Sequence, residues 1–296
     1  MKRSVQLILI VFVCFLISSC AAKRYEIFGS AEKGFILTYH PEASTKFTIV
    51  SSATSEIVMD QMGTEVVVNV EGEGEDSYEV ISVDNEAGIT FELEYGERSD
   101  NVESPAGSGS TEYSELVGKK VKFVVSPLGK ASRFEGFENL PEITSALQET
   151  ITKDQYILGA KGAFPMLPEK AVKFGDTWTE TDEQEIPASG GKFKIISNVT
   201  YKLIEEARKD GFDCVKIEAT GTIKTTGSGE TEGMSFTLER EANATEVIYF
   251  AYRKGMYISR EGSSMQEGIV SFESIGMEMP QKITGKSSVI VKFIEK

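Results

Sequence analysis

The stretch Ile89-Thr90-Phe91-Glu92-Leu93-Glu94-Tyr95 places four apolar side chains on one side of an extended chain and Thr, Glu and Glu on the other. A period of two fits a strand with one buried face and fits little else, because successive strand side chains leave opposite faces. The same alternation recurs at Val66/Val68/Val70, Val121/Phe123/Val125, Val215/Ile217/Ala219, Met234/Phe236/Leu238 and Val289/Val291/Phe293. Turn-forming clusters separate these runs, among them Asp84-Asn85-Glu86-Ala87-Gly88, Lys209-Asp210-Gly211 and Arg253-Lys254-Gly255. Antiparallel sheet with one wet face follows, and the expected class is mainly β, of α+β type.

The strands come in two sets. SYEVISVDNEAG opens one and TYKLIEEARKDG the other, with Tyr78/Tyr201 and Gly88/Gly211 at one common offset. VKFVVSPLGKASRFEG and VIYFAYRKGMYISREG align at nearly the same offset, matching Gly129 to Gly255. A period this long predicts two tandem antiparallel-sheet halves, duplicated and joined by a helix, rather than a solenoid. The helix is expected with Pro141 in its first turn and Asn139 or Leu140 as its cap, since Leu140, Ile143, Leu147 and Ile151 recur at spacings of three and four. The resulting division is a first β-rich repeat over 32–139, helix and linker over 140–165, and a second β-rich repeat over 166–296. Gly96–Glu115 and Gly227–Gly233 lack apolar periodicity and read as hairpin loops.

The order TYHPEASTKFTIV, EVISVDNEAG, LVGKKVKFVVSPLGK and LPEKAVKFGDTW resembles a family of bacterial envelope lipoproteins known only as a domain of unknown function. The resemblance brings no catalytic residues with it. Curved antiparallel sheets with a helix to cover one face are also similar, at the level of fold, to LolA/LolB-type lipoprotein carriers, which by itself assigns no function.

The first residues set the expected address. Lys2 and Arg3 precede an unbroken apolar run of eleven residues, Leu7 to Ile17, and then Ser18 and Ser19. That order is a secretory signal peptide over residues 1–19, and the run is too short for a spanning helix, which takes about 20 residues. Ile17-Ser18-Ser19-Cys20 resembles the bacterial lipobox. The resemblance implies that Cys20 begins the mature chain, carries a diacylglyceryl thioether and an N-acyl group, and tethers residues 20–31 to the membrane. The alternative is cleavage nearby with Cys20 unmodified. Ala21 is not the aspartate that retains many such proteins at the inner membrane, which points to the outer membrane.

Removal of 1–19 leaves 277 residues with 29 basic and 46 acidic side chains. So acidic a surface repels nucleic acid and anionic headgroups. With Cys14 removed and Cys20 acylated, Cys214 stands alone, and stability must come from a core.

Chemistry is sparse. The single histidine, His40, has no second histidine to share a catalytic or zinc site. Cys214 lies in a strand beside a turn and reads as an inert thiol. Glu71–Asp76 and Glu180–Glu185 lack calcium-loop spacing and read as solvated acidic turns. Trp178 reads as an anchor for the second half. No catalytic residue, cofactor or metal is expected. Two functions lead, and a hydrolase stands behind them, which a shared site of close carboxylates in a cleft would bring forward. One is a lipoprotein that binds a lipid or other hydrophobic ligand, lined by Phe91, Leu93, Phe123, Phe236 and Tyr249. The other is a structural or protein-interaction lipoprotein of the envelope.

Overall fold

The computed structural model describes residues 28–61, 63–84, 87–147, 150–188, 191–231 and 233–294. The segment expected to be a signal peptide, Cys20 and the start of the expected tether lie outside the described residues.

After a short ladder of Gly29–Ser30 (β1) with Gly34–Phe35 (β2), the chain runs as a meander. Lys46–Gln61 (β3), Thr64–Asp84 (β4) and Gly88–Ser104 (β5) are followed by Gly107–Glu112 (β6), Lys120–Val125 (β7) and Ala131–Glu135 (β8). A small ladder of Ile143–Thr144 (β9) with Thr150–Ile151 (β10) leads into the helix Lys153–Gly162 (α1). Six strands complete the chain: Thr177–Ala188 (β11), Gly191–Lys209 (β12), Phe212–Thr231 (β13), Met234–Ala251 (β14), Met256–Phe272 (β15) and Met277–Phe293 (β16).

One twelve-stranded antiparallel sheet contains nearly all of this, in the order β11-β12-β13-β14-β15-β16-β3-β4-β5-β7-β8, with β6 also paired to β5. The sheet is mainly β architecture on an unusual scale, since β4 alone runs 21 residues, about 70 Å at strand rise. Alternation sustains such lengths. In β14, Met234, Phe236, Leu238, Arg240, Ala242, Ala244, Glu246 and Ile248 turn inward, while Ser235, Thr237, Glu239, Glu241, Asn243 and Thr245 are exposed.

The sheet is not closed, because its edge strands β8 and β11 do not pair. It nevertheless curls, for Ala131 on β8 and Glu180 on β11 line one cavity, and α1 touches both edge strands. A capping box starts α1, the Thr152 backbone N–H donating to Gln155 Oε1 at 2.7 Å.

The core fills one end of the inner face. Phe47 stacks on Tyr78 at 5.2 Å, and Phe91 stacks on Phe164 at 4.9 Å and lies 6.1 Å from Phe123. Phe35, Leu37 and Tyr39 from the N-terminal segment plug this end. The segment is fixed by reciprocal backbone bonds between Phe35 and Val172, at 2.7 and 2.9 Å, and by Tyr39 Oη donating to the Pro165 carbonyl at 2.9 Å. Each such aromatic ring, buried from both sides, contributes on the order of 2–3 kcal/mol through its apolar area.

Four expectations change. The two halves are contiguous runs of one sheet with one core, joined across thirteen residue pairs of β16 and β3 as well as through the chain. Gly88, Gly129, Gly211 and Gly255 all take positive φ at or beside hairpin turns, as turn glycines do in any meander, and this does not establish a duplication. The helix begins at Lys153 rather than at Pro141. Ile143 instead pairs with Ile151 in the β9–β10 ladder and Leu147 sits exposed at its turn, so an i, i+3, i+4 pattern was satisfied by a hairpin. Gly96–Ser104 continues β5, Gly107–Glu112 is β6, and Gly227–Thr231 ends β13. Pairing to a neighbouring strand holds these segments even where glycine and serine replace apolar side chains. Finally, Glu71–Asp76 and Glu180–Glu185 are strand, not turn, with acidic side chains alternating between the two faces.

Candidate functional site

Register places small residues side by side at mid-sheet. Reading across seven strands at one level gives Glu180, Val199, Gly221, Ala244, Ser264, Gly285 and Ser55. One level toward the core the order is Trp178, Tyr201, Ala219, Glu246, Gly262, Ser287 and Ala53. From Gly221 to Ser55, and again from Gly262 to Ala53, no side chain exceeds serine. A curled sheet lined by such residues cannot meet itself in the middle, and a cavity of about 770 Å³ opens there. That volume lies within the range of roughly 300–1,000 Å³ of small-molecule sites. Gly162 at the end of α1 and Phe164, Pro165 and Met166 after it form another wall.

Polar groups converge on this cavity. Arg260 donates through Nε to Glu246 at 2.8 Å and through Nη1 to the carbonyls of Gly162 and Ala163 at 3.0 and 3.2 Å, so that ion pair is internally committed. Glu180 and Asp182 turn inward from the edge strand β11. Burial, then the neighbouring Asp182 charge, push the Glu180 carboxyl above the usual carboxylate range, with Lys130 acting the other way. Gln184 Nε2 donates to Asp182, and Lys161 Nζ donates to Gln184 Oε1 at 3.3 Å. Lys130 and Lys161 are exposed at the mouth. Among the described residues, no three His, Cys, Asp or Glu side chains are grouped to hold a metal ion, and no helix is long and apolar enough to cross a membrane.

A family model matches residues 77–257, from within β4 to the start of β15 and more than half of the chain. The chain belongs to DUF6263, a family of unknown function. No curated protein matches. Among solved structures, the DUF6263 chain is similar to a Bacteroides fragilis protein assigned as exported with a YmcC-like fold, at 8% identity and a TM-score of 0.27, covering 88% of this chain and 99% of that one. A Parabacteroides distasonis protein assigned as a lipoprotein matches at 10% identity and 0.26, covering 88% and 100%. Pseudomonas aeruginosa OccD3 follows at 6% and 0.24, covering 91% and 98%. At these scores none of the likenesses assigns a fold or a function.

The five residues expected to line a ligand are dispersed in the DUF6263 chain. Phe91, Leu93 and Phe123 lie fully inside the aromatic core. Phe236 is half-buried at the opposite end of the sheet, between Phe193 at 6.2 Å and Phe272 at 6.0 Å. Tyr249 packs on the other face with Cys214, Ala251 and Ile258. None of the five is among the lining residues of the cavity. Cys214 is fully buried there, and burial pushes its thiol up to about 11. Trp178 anchors the start of β11, its Nε1 donating to the Met166 carbonyl at 3.0 Å while its ring stacks on Tyr201 at 5.4 Å. His40 stacks on Phe28 at 5.0 Å and bonds through Nδ1 to the Thr38 carbonyl at 2.8 Å.

Proposed function

We propose that this chain is an exported lipoprotein, anchored through Cys20, whose mid-sheet cavity holds a hydrophobic or amphiphilic ligand without transforming it. The single observation that supports this reading is the cavity itself. The cavity is open to water on one side and lined by both apolar and polar side chains, the character of a site for an amphiphilic molecule. Here adjacent strands repeat small residues at matching heights, where larger aliphatic side chains would have packed. The anchor rests on the lipobox resemblance of Ile17-Ser18-Ser19-Cys20. The LolA/LolB-type comparison fits a carrier of this kind only as analogy.

Native mass spectrometry with organic extraction, on residues 21–296 prepared without detergent, tests the reading. About one lipid-like molecule per chain is expected, and Ala244→Leu, which fills the cavity floor, should expel it while leaving the protein folded. A clean apo mass with no uptake of a fluorescent fatty acid would overturn ligand binding in favour of a structural or protein-interaction lipoprotein.

A further inference from the structure

Resting on the ligand-binding reading above, we infer that the cavity selects a single-chain zwitterionic amphiphile, with an ammonium group held by Glu180 and Asp182 and a phosphate held by Lys130 and Lys161. The fold leaves four charges at this cavity, on Glu180, Asp182, Lys130 and Lys161, without an ionic partner at salt-bridge distance. Among the described residues, neither Glu180 nor Lys130 forms a salt bridge or a side-chain hydrogen bond. Asp182 and Lys161 each meet only the neutral amide of Gln184. The contrast with Glu246 and Arg260, which line the same cavity and pair at 2.8 Å, shows that the fold can neutralise a charge there when structure requires it. Two like-charged carboxylates on one inner edge, half-removed from water, disfavour each other's charge, and the Lys130 charge offsets this only in part, since the Glu180 carboxyl stays raised.

Position supplies the rest. The carboxylates come from β11 on one side of the gap between the sheet edges. Lys130 comes from the turn leading into β8 on the other side, and Lys161 from the last turn of α1 between them. Both signs therefore stand at the mouth. A ligand carrying only an anion would meet Glu180 and Asp182, and one carrying only a cation would meet the lysines. A head group with both satisfies all four. Val199, Ile223 and Ile195, at the heights of Glu180, Asp182 and Gln184 on the adjoining strands, add apolar surface to the same cavity, which suits an acyl chain lying across the sheet.

The test uses the exported Cys20→Ser chain, purified without detergent, and displacement of a fluorescent fatty acid. The competitors are lysophosphatidylethanolamine, lysophosphatidylglycerol and monoacylglycerol of equal chain length, and phosphoethanolamine without a chain. The zwitterionic lysolipid is expected to bind about tenfold or more tightly than either other lipid, in line with hydrogen bonds to charged groups. The ratio should fall toward one in Glu180→Gln/Asp182→Asn and, independently, in Lys130→Gln/Lys161→Gln, whose substitutions lie at exposed positions. Equal binding of the three lipids, or a preference that survives both double variants, would overturn the head-group assignment while leaving ligand binding intact. Competition by phosphoethanolamine as strong as by the lysolipid would overturn the acyl-chain part. No displacement by any lipid, with no uptake of the fluorescent probe, would sink the ligand-binding reading itself.

Discussion

Arg260 on β15 donates through Nη1 to the carbonyl of Gly162, the last residue of α1, at 3.0 Å across 98 positions of sequence. The same guanidinium holds Glu246 at 2.8 Å, so a single side chain ties the helix C-terminus, where cations are favoured, to the middle of the sheet. Both partners are mostly withdrawn from solvent, with side chains 19% and 24% exposed. Removing one member leaves the other charged and unpaired. Arg260→Met is therefore expected to destabilise the protein toward the lower end of the roughly 3–5 kcal/mol seen for broken buried pairs. Urea denaturation of the single and Glu246→Gln double variants checks this. A double variant no less stable than the Arg260 single variant would identify the orphaned carboxylate as the cost.

Glu180 gives a pH dependence. Its folded carboxyl titrates above the ordinary range because burial and Asp182 disfavour the charge. The folded state thus binds more protons than the unfolded state between the ordinary value and the raised one. Stability must then fall as pH rises through that window. Glu180→Gln is expected to be more stable than the parent near neutrality and to show a flatter profile, with the difference vanishing below the ordinary carboxylate range. A parent less stable at low pH by this group would refute the sign.

Gly255 turns β14 into β15 at φ 67°, with its backbone against His40. A Cβ there would stand 2.5 Å from the His40 amide nitrogen and 2.6 Å from its ring. Gly255→Ala should cost about 1–3 kcal/mol in backbone strain alone, plus whatever displacement of the His40 segment adds. Thermal unfolding measures it. Gly211, at φ 85° with open space around it, is the control, since Gly211→Asn should be nearly neutral.

Phe91 and Phe236 separate packing from lining. Phe91 is fully buried among Phe47, Phe123 and Phe164, so Phe91→Ala is expected to cost about 3–5 kcal/mol. Phe236 keeps one side open and should cost less than half as much. Neither substitution should act on ligand affinity at a temperature where the protein remains folded, which the fluorescent fatty-acid assay reads directly.

Alternation made the strands legible. Ile89–Tyr95 and Val121–Val125 are paired in β5 and β7 as their period-two pattern requires, because one buried face enforces it locally. The helix was harder. Leu140, Ile143, Leu147 and Ile151 satisfy a helical stripe, yet the decisive local signal was Thr152 with Gln155, three residues apart, which caps α1. The cavity was not legible as a site. Ala219/Gly221, Gly262/Ser264, Gly285/Ser287 and Ala53/Ser55 each read as ordinary small residues in their own strands. Only inter-strand register stacks them, and the pairing of β16 with β3 joins segments more than two hundred residues apart. The carboxylates of β11 were hidden for a related reason, since an acidic run looks solvated until a period of two sends Glu180 and Asp182 inward.

That seam between β16 and β3 bears on how the molecule assembles. Every other ladder of the large sheet joins strands that follow closely along the chain and so can zip from a turn outward. The seam alone must wait for a diffusive search over nearly the full length of the polypeptide, with the loop-closure entropy this entails. It brings Phe293 opposite Phe47. A permuted polypeptide that ran from β11 through β16 straight into β3 and on to β8 would replace that search with one more hairpin, and would reach the same sheet by neighbour pairings alone.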